Sequence, residues 1–132
     1  MIIGPLLTSR SKVELRNRSL ANPRKLAAAG IMIAITTDHP VVPINFLIHQ
    51  ASLAVKEGLD PQTALEAITI NPARIIGVDG RLGSLEPGKD ADLVIWSGDP
   101  LDVTSRAERA YSGGREIYAY DYDRREGVVR EP

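Results

Sequence analysis

The tightest constraint on this chain is Ile31-Met32-Ile33-Ala34-Ile35, five consecutive apolar residues that follow Gly30 and end at Thr36-Thr37-Asp38-His39-Pro40. An apolar run of this length without alternation fits a strand covered on both faces, as parallel strands in α/β proteins are. In α/β sheets and barrels ligands bind at the C-terminal ends of the strands, so residues 36–40 stand where chemistry collects.

The segments around that strand alternate with it. Ile2 and Ile3, stopped by Gly4-Pro5, read as the end of a short buried strand. Residues 8–21 read as a long loop with a helical turn around 12–18. Asn22-Pro23 is a helix start, because asparagine accepts from the free N–H groups of the first turn and proline is preset for the first helical position. Gly30 closes that helix. Ile44, Leu47, Ile48, Ala51 and Val55 form a helical stripe ending at Gly58. Asp60-Pro61 and Asn71-Pro72 repeat the start signal, and Gly77 is the last stop.

Beyond Gly77 the texture changes to short segments punctuated by glycine and proline. Glu86-Pro87-Gly88-Lys89 has proline and glycine where a type II turn wants them. Leu93–Trp96 is β-rich, residues 107–112 and 115–120 read as strands joined at Gly113-Gly114, and a last strand is expected at 127–130. The expected organisation is α/β over 1–77 and a small β-module over 78–132.

Composition removes several function classes. With 16 basic and 17 acidic residues the net charge is −1, which argues against nucleic acid or an anionic membrane as partner. The basic cluster Arg10, Lys12, Arg16, Arg18, Arg24 and Lys25 against Glu14 reads as a solvated face; its functional alternative is an acidic substrate met by Arg10 and Arg16. There is no cysteine, so disulfides and cysteine-based zinc sites are excluded and the cytoplasm is the expected compartment. His39 and His49 alone cannot fill a tetrahedral zinc shell. No apolar run approaches the ~20 residues that span a bilayer.

Asp38 is the candidate for chemistry. A carboxylate at a strand's C-terminal end can ligate a metal, take a proton from the attacking water, and return it to a leaving amine. A carboxylate that only caps the turn before Pro40 fits the position equally well. His39 reads as a substrate contact or as a polar loop residue, and His49, off the apolar stripe, as a solvent-face histidine.

Three stretches in order, "AGIMIAITTDHPVVP", "LAVKEGLDPQTALEAITINPARIIGV" and "GRLGSLEPGKDADLVIWSGDPLD", resemble the C-terminal third of the amidohydrolase superfamily, in particular its imidazolonepropionase-like and cyclic-amidohydrolase members. The resemblance covers residues 22–120. It implies the C-terminal part of a (β/α)₈ TIM barrel, with 31–35 as the last strand and 2–3 in the strand before, followed by a β-sandwich segment. It implies hydrolysis of a C–N bond in a cyclic amide or amidine through water activated by a divalent metal, zinc or iron. Asp38 matches the family's metal ligand and proton shuttle; Thr37, His39 and Arg10 would stand by the substrate. Lys89, Asp90 and Asp92 would be structural. The family's H-x-H pair, bridging lysine and later histidines all precede the matched stretch. A full barrel takes ~250 residues, of which two strands' worth is present. The chain alone is therefore expected to be inactive and to bind no metal tightly. An open barrel edge is expected to favour a homo-oligomer or pairing with the missing N-terminal portion. The alternative is a non-catalytic truncated paralogue acting as an oligomerisation or subunit-pairing module.

Overall fold

The computed structural model describes residues 1–7, 13 and 17–130. The N-terminal part is built on two short parallel strands, β1 (Ile2–Ile3) and β2 (Ala34–Ile35), joined through helix α1 (Asn22–Ala28). A 3₁₀ turn at Ile44–Phe46 leads into α2 (Leu47–Lys56), followed by α3 (Pro61–Glu66) and α4 (Ile70–Ile76). The rest is one antiparallel sheet, β3 (Leu93–Trp96), β4 (Ala107–Ser112), β5 (Arg115–Asp121) and β6 (Glu126–Val129), paired in chain order. The chain is thus α/β, with a parallel pair first and an antiparallel sheet after it. No helix among the described residues is long and apolar enough to cross a membrane.

The central apolar run is more divided than its sequence suggests. Ile33, Ala34 and Ile35 are buried, but Ile31 and Met32 are 37% and 46% exposed, and only residues 34 and 35 pair with β1. On its other edge β2 meets helices rather than a strand. The Ile35 N–H donates to the Ala67 carbonyl at 2.9 Å, and the Asn71 side-chain amide donates to the Ile33 carbonyl at 3.1 Å. The expected open edge at 31–35 is therefore occupied at these two groups by the segment around α3 and α4.

Small residues allow that approach. Ala51, Ala54, Ala64 and Ala67 are fully buried and pack with Leu6, Ile33, Ile35 and Leu59 in one cluster. Alanine lets helix backbones lie close to a strand while keeping helix propensity high.

Two helix starts differ from the sequence reading. Ala21, not Asn22, occupies the cap of α1, and no side chain caps it; Asn22 is already helical. α4 begins at Ile70 after Thr69, so Asn71 lies inside the helix and is free to reach Ile33. Proline stands second in α1 and third in α4, so these helices start one and two residues earlier than their Asn-Pro pairs signal. Asp60 does cap α3: its carboxylate accepts from the Thr63 N–H at 2.9 Å. That bond and the Thr63 hydroxyl hold the Asp60 pKa below the usual carboxylate value. Gly77 closes α4 in the left-handed conformation (φ 76°).

Gly83 connects the helices to the sheet. A Cβ there would stand 2.8 Å from Ala73 Cβ and 2.9 Å from Ile70 Cα, so the chain crosses α4 at backbone distance. The type II turn forms as expected, with the Lys89 N–H on the Glu86 carbonyl at 3.1 Å and Gly88 at φ 91°. Lys89 bonds Ser84 and Glu86, Asp90 pairs with Arg81, and Asp92 accepts from the Gly113 N–H. Gly113 and Gly114 turn the β4–β5 hairpin with both φ angles positive, the type I′ signature.

Candidate active site

The C-terminal ends of β1 and β2 are locked to each other before any functional side chain is reached. The Thr36 N–H continues the parallel ladder onto the Ile3 carbonyl at 2.9 Å. One residue on, Gly4 lies against Thr36 so closely that a Cβ on Gly4 would stand 2.0 Å from the Thr36 carbonyl oxygen. Gly4 has φ 143°, a region open to glycine almost alone. Leu6 is fixed in turn by its N–H on the Gln50 side-chain oxygen, from a glutamine that is completely buried in α2.

Asp38 rises from this platform. Its N–H donates to the Thr36 hydroxyl at 3.2 Å, and its carbonyl accepts from the Val41 N–H at 2.8 Å, closing a tight turn. The backbone of Asp38 is left-handed, φ 52°. Aspartate tolerates that conformation better than most residues, yet it remains less favourable than for glycine. Its side chain is exposed and has no hydrogen-bond or ion-pair partner among the described residues.

The other candidates separate. His39 is exposed beside Asp38, on the same turn. Thr37 is only 2% exposed, so its side chain faces the interior and supports the turn rather than the open surface. Arg10 lies outside the described residues. His49 is not a solvent-face residue: it is half-buried, its ring rests against Phe46 at 5.5 Å, and its Nδ1 is buried without a partner. It lines a separate cleft of about 490 Å³ with Phe46, Leu53 and Leu101.

Gly4, Gln50 and Asn71 carry contacts that the sequence does not announce, Asn71 reading there only as a helix start. Gly4 read only as a strand stop. Gln50 had a usable signal, since it falls with Leu47, Ala51 and Ala54 on the core-facing side of α2, where a polar residue needs a buried partner.

Among the described residues no three histidine, aspartate or glutamate side chains come together to hold a metal ion. Asp38, exposed and unpartnered at a strand end, fits one ligand of a shared metal site, not a complete one.

The sequence profile of the amidohydrolase family matches residues 7–129. The chain belongs to the amidohydrolase family. Among curated relatives, the imidazolonepropionase of Solibacter usitatus is 32% identical over 119 residues, covering 86% of this chain and 27% of that protein. Adenine deaminase 2 of a Jannaschia species is 37% identical over 118 residues, covering 83% of this chain and 18% of its own length. The crystal structure of an amidohydrolase from Thermotoga maritima superposes with a TM-score of 0.86 at 46% identity, covering 89% of this chain and 31% of that one. A putative prolidase from Bifidobacterium longum follows at 0.65 and 34%, covering 74% and 26%. The chain thus spans less than a third of the length of each of these proteins.

Proposed function

We propose that this chain is the C-terminal part of an amidohydrolase that hydrolyses a non-peptide C–N bond, in a cyclic amide or amidine, and that Asp38 is its proton-transferring carboxylate. β1 and β2 are the last two strands of the (β/α)₈ barrel, residues 1–77 complete its wall, and residues 78–132 form the β-sandwich segment. The observation that carries the reading is the placement of Asp38: an exposed carboxylate at the C-terminal end of a buried parallel strand, in a backbone conformation that glycine would adopt more cheaply.

Asp38 would hold a divalent metal, zinc or iron, together with ligands from parts of the barrel outside this chain. The metal, when bound, supplies activation of the attacking water. Asp38 takes the proton released in the attack and returns it to the departing nitrogen, acting as general base and then as general acid. His39, on the same turn, stands where it can contact the substrate, and Arg10 is assigned to the substrate's acidic group. Thr37, turned inward, holds the turn. With one ligand, the chain alone turns nothing over.

The test is Asp38→Asn in the full-length protein that contains this segment. Loss of about 10²–10⁴-fold in kcat with unchanged far-UV circular dichroism supports the reading. An unchanged kcat on the cyclic amides hydrolysed by the wild type overturns it.

The place of action is assigned to the cytoplasm. Association is assigned to the outer edge of β1, either with the N-terminal portion of the barrel or with a second copy. Ile2 there is 58% exposed, while the far edge of β2 is already bonded to Ala67 and Asn71. Light scattering over a concentration series tests this, and a monomer throughout, indifferent to the N-terminal portion, excludes it.

A further inference from the structure

Far from Asp38 in the chain, the antiparallel sheet carries a concavity of about 540 Å³ lined by Ser97, Thr104, Arg106, Tyr120, Tyr122 and Arg125. Arg106 is held in place from both ends. Its backbone is bonded to Ser97 in both directions at 3.0 Å, and its guanidinium lies 4.8 Å from the Tyr120 ring centre while donating to the Tyr120 hydroxyl at 2.7 Å. A guanidinium has five N–H donors in a fixed fork, so this one bond leaves most of them unused.

The second arginine is placed at a conformational cost. Arg125 is in the turn between β5 and β6 with φ 55°, and it and Asp38 are the two non-glycine residues among those described with positive φ. Asp121 caps this turn, accepting from the N–H groups of Asp123 and Arg124, so the turn itself is soundly built. Glycine or asparagine would occupy the left-handed position more cheaply than arginine. What arginine adds there is a cation at the concavity.

The Glu108 carboxylate accepts from the Tyr122 hydroxyl, so one anion stands beside the concavity, but it forms no ion pair with either cation. The neighbouring arginines Arg109 and Arg130 pair with Glu116, and Arg124 approaches Asp121 and Glu126; Arg106 and Arg125 have no carboxylate partner among the described residues. Tyr120 and Tyr122, which line the same concavity, meet edge to face at 5.1 Å and 82° and give it an aromatic wall. Two guanidinium groups lining one concavity with two tyrosines match the chemistry of a carboxylate attached to a flat ring, the carboxylate met by arginine and the ring by tyrosine.

We propose that this concavity binds a small planar aromatic carboxylate, with Arg106 and Arg125 as its anion-holding residues. The site is independent of Asp38 and does not rest on the catalytic reading above.

The experiment is a titration, with benzoate, of the full-length protein that contains this segment, followed by amide NMR and run beside acetate and inorganic phosphate. The expected result is saturable shifts for benzoate at residues 97, 104, 106, 120, 122 and 125, with acetate and phosphate weaker. Arg125→Gly is the decisive variant, because glycine keeps the turn's backbone conformation and removes only the cation. It should weaken benzoate binding about tenfold or more, as loss of a charge-assisted bond does. Arg106→Gln should do the same while leaving the sheet's spectrum intact. Non-saturating shifts, equal response to all three anions, or undiminished benzoate binding by Arg125→Gly would each overturn the proposal.

Discussion

Gly4 and Thr36 touch through their backbones, at a distance that leaves no room for a methyl group between them. The contact holds the two strand ends together one residue below the turn that carries Asp38. Replacing Gly4 by alanine should cost about 3 kcal/mol or more, because it combines a forbidden φ with a backbone clash. Gly30→Ala is the control: Gly30 also has a positive φ, but nothing lies within 4 Å of its would-be side chain. It should cost only about 1 kcal/mol. Urea unfolding of both variants makes the comparison, and equal losses would show that packing against Thr36 contributes nothing.

Asp38→Gly should separate folding from chemistry. Glycine adopts φ 52° without the penalty of a side chain, so stability should be unchanged or higher by up to about 1 kcal/mol. In the full-length enzyme the same change should abolish hydrolysis. Chemical denaturation and steady-state kinetics on one preparation give both answers. A variant that is less stable and still active would reverse the assignment.

Asn71→Ala should remove the bond to the Ile33 carbonyl and leave that buried acceptor unpaired, at a cost of about 1–3 kcal/mol. Amide exchange at Ile35 should accelerate as well, because the same stretch of β2 is held by Ala67. Unaltered exchange at Ile35 would mean that the two bonds are independent.

Asp60 gives the chain a pH signature. Its folded pKa is depressed, first by the Thr63 N–H and then by the Thr63 hydroxyl. The stabilisation is therefore fully present above the ordinary carboxylate pKa and is lost as pH falls through the lower folded value. Asp60→Asn keeps a capping oxygen but does not titrate. The stability difference between wild type and variant should be flat from neutral pH down to the carboxylate range and then shrink with acid. A difference independent of pH would show that the charge of Asp60 plays no part.

Much of the local architecture was legible in the sequence. The Asp60 cap, the Gly77 stop, the type II turn at 86–89 and the Gly113-Gly114 hairpin each depend on a few adjacent residues, and each forms where the residue types require. What escaped was set by partners distant in the chain. Nothing near Ile31 announces that Ile31 and Met32 stay exposed while Ile33 is buried; Ile33 is buried by Leu6 and by the alanines of the α2 and α3 segments. Asp38 was legible as a strand-end carboxylate, but its left-handed backbone was not, since Thr36 and Val41 close the turn around it. Gly4 looked like punctuation because its contact lies across a parallel pair, beyond the reach of any local pattern. The inward turn of Thr37 and the burial of His49 likewise depend on neighbours that spacing does not reveal.

Asn71 reaches Ile33 across 38 residues of chain. During synthesis on the ribosome, the strand leading to Asp38 therefore emerges well before the side chain that completes its far edge. Until α4 appears, the Ile33 carbonyl has only water to bond, while its apolar cover comes earlier, with α2 and α3. A pause in translation between β2 and α3 would expose a sticky half-built sheet to chaperones and to neighbouring nascent chains. The codons from Thr36 to Ala67 thus set how long that vulnerable interval lasts.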